Sequence, residues 1–262
     1  MSSLLKPGRL FFAIGMIALA ILSLISHDFI IGRPPAWPEG IPAKSVWSYL
    51  SEVIVIISGI AILLHNKGRL AALAIGFVIL LFSFVLRYLP ALATSTWEGI
   101  LWNINAYKTL ALAGGAFVVA ESFSAESGLP AISSAINNKL AAAGILFLSL
   151  FLIIAGCSHI KFSQFIIGFI PSYIPFHAFW TYFTAIALLA GGIGILIPQT
   201  RKVAALWSGV MIFGWFLLLH IPRLIATPDD PSDRMGICES LVISGVLFVL
   251  SGISPGRKKA AR

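Results

Sequence analysis

Few side chains in this sequence can do chemistry, and those that can sit inside or at the ends of long apolar runs. Glu52, Lys108 and Glu239 lie within such runs, Arg87 and His220 near the ends of others, and His27 and His159 close to two more. Tyr182 and the two cysteines, Cys157 and Cys238, fall at similar depth. A charged group at the centre of a bilayer costs about 2.5–3.5 kcal/mol on insertion scales, so each needs a reason to be there. Imidazole, carboxylate, ammonium and phenol groups gathered in an apolar setting can bind a ligand, and Glu52 with Lys108 is the expected ion pair. The plainer alternative is that these groups reach headgroups or satisfy one another and fix helix register. Cys157 and Cys238 could form a disulfide or trade electrons with a membrane quinone. With no C-x-x-C and no cysteine in the first half, two inert thiols are the competing expectation. His159, His177 and His220 are of a type metals use, but their spacing matches no ligand motif, so no metal site is expected.

The elements that must carry these residues are membrane helices. Of the chain, 58% is hydrophobic and 11% charged, with a mean hydropathy of +0.96. A soluble domain carries roughly 25% charged residues, so this chain could not cover a surface facing water. Apolar runs long enough to span a bilayer cover about 10–26, 46–64, 70–89, 103–120, 140–157, 177–197, 203–221 and 237–253. They lack the alternation of barrel strands, and in lipid the remaining way to satisfy the backbone is the helix. The expected fold is an all-α membrane protein with eight transmembrane helices.

The net charge of +8 is explained by orientation rather than by nucleic acid. With eight spans, Lys6, Arg9, Lys67, Arg69, Lys139, Arg201, Lys202 and the basic tail share one side with both termini. An excess of Lys and Arg marks the cytoplasmic side, so the expectation is a multi-pass protein of the inner (plasma) membrane with both termini cytoplasmic. The first run is expected to be a retained helix and not a signal peptide. In this topology His27, Glu52, Arg87, Lys108, His159, Tyr182, His220 and Glu239 all fall in the outer half, which predicts an outward-facing polar pocket in each half of the chain. His159 and Cys157 are expected to face His220 and Glu239.

The chain reads as written twice. Shifted by 133 residues, "VWSYLSEVIVIISGIAIL" at 46–63 lies over "FWTYFTAIALLAGGIGIL" at 179–196. With small gaps His27 meets His159, and Lys108 meets Glu239. An even number of helices per unit makes this a parallel repeat. The expected units are 1–121 and 140–262, two four-helix bundles side by side, joined by a cytoplasmic linker over 122–139. The segments "IIGRPPAWPEGIPAKSVW" (30–47) and "FIIGFIPSYIPFHAFW" (165–180) hold the same place in each unit. Their prolines bar regular helix and their aromatic residues favour the interface, so each should lie across the mouth of its bundle.

The stretch from Ala155 to Phe213 resembles the DoxX-like integral membrane proteins. The resemblance rests on Gly156, His159, Pro171, Tyr173, Pro175, Trp180, Tyr182, Gly191, Gly192, Thr200, Arg201 and Ala204. Ile160 departs from the family's usual Phe, and Ala185 stands where many members carry a Glu, a role Glu52 fills in the first half. The resemblance implies a four-helix unit, here doubled, and a membrane subunit or accessory of a quinone-linked redox system, with a quinone or a lipid as ligand. It carries over no catalytic residues. The alternatives are a non-enzymatic scaffold or assembly partner and, further off, a small-solute transporter.

Overall fold

A computed structural model describes residues 2–26, 35, 37–38, 40–123 and 131–253. Among these every regular element is helical. The chain runs through α1 (Leu5–Ser26), α2 (Lys44–Leu63), α3 (Gly68–Val78), α4 (Leu89–Ala93), α5 (Trp97–Leu101), α6 (Ile104–Ser122), α7 (Ala131–Lys161), α8 (Ser163–Phe169), α9 (His177–Leu196), α10 (Arg201–Trp215), α11 (Ile221–Ala226) and α12 (Pro231–Gly252). Two π-helical segments, Ile79–Tyr88 and Phe216–His220, join α3 to α4 and α10 to α11 into continuous rods. Among the described residues seven rods are long and apolar enough to cross a membrane: α1, α2, α3–α4, the Ile136–Lys161 part of α7, α9, α10–α11 and α12. This is a multi-pass helical membrane protein. The helix absent from that set, α6, carries Asn105, Lys108 and Glu121. The expected linker is helical from Ala131 onward, so α7 begins well before the apolar run at 140.

The centre of the molecule is α6 and α12. Every residue of α6 from Ala111 to Ala120 is buried, and the spanning window of α12 is 83% buried against 22% for α10–α11. A helix that is apolar all round belongs inside, and these two touch each other directly. Around them α1 packs most extensively on α12, and α7 on α6 and α9, while α10 also lies on α12 and α3 on α6. The two halves therefore interlock, in place of the expected side-by-side bundles. Small residues make the crossings close. A Cβ on Gly8 would lie 2.7 Å from the Gly245 carbonyl oxygen, and one on Gly144 only 2.1 Å from that of Gly114. Without a hydrophobic drive between helices in lipid, such backbone approach is a main source of association.

The π segments have a local cause. A proline inside a helix lacks the N–H that the carbonyl four residues back expects, and its ring crowds that carbonyl; widening the helix relieves the clash. Pro222 follows the second segment, and the carbonyl it leaves without a helical donor is that of Leu218. The Tyr173 hydroxyl donates to that oxygen. Pro90 follows the first segment, where Trp37 Nε1 donates to the Phe82 carbonyl at 3.0 Å. Each of these two loops is thus clasped to the π segment one rod beyond the helix it enters. The clasp is returned by arginines: Arg87 Nε donates to the Pro35 carbonyl at 2.5 Å, and Arg223 Nη1 to the Phe169 carbonyl at 3.2 Å. The loops then enter α2 and α9 through left-handed residues, Ala43 (φ 55°) and Phe176 (φ 59°). A bulky residue there is an outlier that persists only where its surroundings hold it.

Candidate functional site

At the loop end of the molecule, charged groups converge where α10–α11 passes α12. Lys108 on α6 donates to Glu239 Oε2 on α12 at 2.7 Å, with both side chains largely buried. Lys108 is thus paired with Glu239, where the sequence suggested Glu52. The physical reason is the central contact of α6 with α12, which α2 does not share. Removing two charges from water is repaid only by good geometry, and 2.7 Å is a charge-assisted distance. One turn and a half along α12, Asp233 is buried and held by Arg223 through Nε to Oδ1 at 2.8 Å and Nη2 to Oδ2 at 3.2 Å. The Thr227 hydroxyl donates to Oδ2 as well. The Arg223 guanidinium also stacks on Phe169, 3.5 Å from the ring centroid.

His220 lies between these two pairs. It feels the charges of Glu239, Lys108, Asp233 and Arg223. Its ring rests on α12 at Gly236, where an added Cβ would come within 2.9 Å of Nδ1. That nitrogen is buried and has no hydrogen-bond partner among the described residues. A buried polar atom left this way costs about 1–3 kcal/mol, which makes it the natural point for a ligand atom to meet the protein.

The other expected site residues are distributed over the remaining rods. Glu52 and Arg87 are fully buried on the α2 and α3–α4 rods. His27 lies outside the described residues. His159 bonds back to its own helix, Nδ1 to the Ala155 carbonyl at 2.8 Å, and α7 packs chiefly on α6 and α9. That places His159 and Cys157 on a helix with no extensive contact to α12 or α10–α11, which carry Glu239 and His220. Tyr182 is 45% exposed on the outer face of α9. His177 Nε2 meets the Pro171 carbonyl at 3.2 Å. Among the described residues no three His, Cys, Asp or Glu side chains gather as a metal ion requires. Cys157 and Cys238 are free thiols and form no disulfide.

One large hollow differs from the polar pocket the sequence implied. It is an apolar groove of about 960 Å³ between α9 and α10, running from Ile174, Trp180 and Leu218 at the loop end to Gln199 and Thr200 at the other. Gly214 leaves room along it, since an added Cβ there would meet nothing within 4 Å, while Gly191 and Gly194 let Ser208 and Ala204 of α10 pack close. Neither this groove nor the Arg223–Asp233 pair was expected from the sequence. Arg223 and Asp233 looked like loop charges. The groove was legible only as a set of small residues that the first half replaces with larger ones.

A family model described as a domain of unknown function (DUF8561) matches residues 148–235. No curated protein and no solved structure matches the chain.

Proposed function

We propose that this chain is a DoxX-like membrane subunit or accessory of a quinone-linked redox system, and that a quinone headgroup docks at His220 beside the Lys108–Glu239 pair. The observation that carries the proposal is the buried, unpartnered His220 Nδ1 between two ion pairs. Quinone carbonyls are acceptors, and a protonated imidazole nitrogen or the Lys108 ammonium can donate to them. The adjoining π segment supports a site here, since such widened turns occur frequently at functional positions. The test is mass spectrometry of lipids extracted from the purified protein. Quinone should co-purify with the native chain and fall at least tenfold in His220→Leu. Equal quinone in both, or none in either, would remove the proposal.

The duplicated architecture belongs to the same proposal. Its support is the pairing of features 133 residues apart: Ala43 with Phe176 as left-handed helix starts, and Arg87 with His220 in the π segments. The α1–α12 and α6–α7 crossings likewise mirror each other through Gly8–Gly245 and Gly144–Gly114. On this basis α6 is the eighth span, kept polar because it is shielded by its neighbours, and both termini face the cytoplasm of a cell whose inner membrane holds the chain. The low burial of α10–α11 favours a second role as scaffold, with that face against a partner protein.

A further inference from the structure

We infer that the α9–α10 groove is a dedicated seat for one membrane lipid with a long hydrocarbon chain and an anionic headgroup, separate from the His220 site and independent of the redox proposal. Along α9 the groove extends from Trp180 to Ile197, about 26 Å at 1.5 Å per residue. That nearly matches the roughly 30 Å hydrocarbon thickness of a bilayer. Its volume of about 960 Å³ lies at the upper end of the range for small-molecule sites. Apart from Gln199, Thr200 and Ser208 its walls are apolar or glycine. The Thr200 hydroxyl is already committed to the Gly194 carbonyl at 2.8 Å, so it asks nothing of an occupant.

The headgroup is set by what stands at the Gln199–Thr200 mouth. The next two residues are Arg201 and Lys202, with no acidic residue near them in the sequence. Arg201 is partly used, its Nε donating to the Ile195 carbonyl at 2.8 Å. Lys202 is half-buried at the start of α10 and forms no hydrogen bond or ion pair among the described residues. An ammonium at the interface beside a chain-length groove fits a lipid phosphate.

Several small residues of the groove have larger counterparts in the first half of the chain. Positions 133 residues earlier carry Ile54 for Ala187, Ile57 for Ala190, Ser58 for Gly191, Ala61 for Gly194 and Leu81 for Gly214. Each exchange is from small to larger; at Gly191 and Gly194 the smaller residue admits Ser208 and Ala204, and at Ala187, Ala190 and Gly214 it widens the groove.

The test uses the full chain in nanodiscs of equal phosphatidylglycerol and phosphatidylcholine, each carrying a photoreactive group on one acyl chain. Phosphatidylglycerol should crosslink to α9 and α10 at least fivefold above α2 and α3, and above phosphatidylcholine at the same helices. Even labelling over the four helices would overturn the proposal, as would equal labelling by the two lipids. Grafting first-half residues, as Ala190→Ile with Gly214→Leu, should abolish the excess, and Lys202→Gln should abolish the headgroup preference while keeping chain labelling. Unchanged crosslinking in the grafted variant would overturn the seat. The same outcome follows if a prenyl quinone, detected by extraction, displaces the lipid label. The native-chain comparison stands even if the grafted variant does not fold.

Discussion

At the scale of single residues, the side chain whose partner matters most is Lys108. Its ammonium and the Glu239 carboxylate are buried together at the α6–α12 contact, so truncating one removes a charge-assisted bond from the other in a largely buried setting. Lys108→Met should destabilise the protein by about 3–5 kcal/mol, and Lys108→Met with Glu239→Met should recover most of that. Thermal unfolding in one detergent checks both; similar losses in the single and double variants would mean the pair is not coupled. Gly144 is a second sensitive point. Its missing Cβ would sit 2.1 Å from the Gly114 carbonyl oxygen, so Gly144→Ala must push α7 off α6. A loss of roughly 1–3 kcal/mol is expected from overpacking, and the same assay reads it. Cys238 is buried and Cys157 half-buried, both as free thiols. A thiol reagent should therefore modify Cys157 in detergent without reductant, and prior reduction should not raise the yield. A rise on reduction would reveal a disulfide.

At the scale of elements, the loop clasps decide how the π segments are held. Tyr173 donates to the carbonyl that Pro222 leaves open, so Tyr173→Phe removes a hydrogen bond but keeps the ring. The cost should be about 1 kcal/mol, and amide exchange should rise over residues 170–176 while α12 stays protected. Unchanged exchange in that loop would show the clasp contributes nothing. Helix positions were readable from the sequence because apolar length in lipid leaves the backbone little choice. The expected spans at 46–64 and 177–197 became Lys44–Leu63 and His177–Leu196. The π segments were not readable. Pro90 and Pro222 announce a disturbance, but whether a helix kinks, ends or widens depends on which side chain reaches the freed carbonyl. Tyr173 comes from a loop 45 residues away from Leu218, and no local pattern points from one to the other.

At the scale of the whole molecule, the interlocked packing makes a prediction about separability. Because α1 lies on α12 and α7 on α6, neither half has its full set of neighbours alone. Chains ending at 123 and beginning at 131 should each be degraded when expressed singly and should accumulate as a complex when co-expressed, read by affinity capture of one through a tag on the other. Stable, monodisperse single halves would contradict the interlock. The sequence by itself determined the class: a polytopic helical protein whose span limits follow from the cost of polar groups in hydrocarbon. It also placed Lys108, His220 and Glu239 toward one end, since a charge is tolerated near an interface and not at the centre. Only the tertiary structure decided which of them meet. Glu52 and Glu239 are equally suitable partners for Lys108 as residue types. The choice was made by the packing of α6 against α12, where Gly115 admits the Val246 side chain, and by the fit of backbones that no single helix encodes. The α9–α10 groove has the same origin: each small residue is unremarkable in its helix, and the hollow exists only where two such helices face one another.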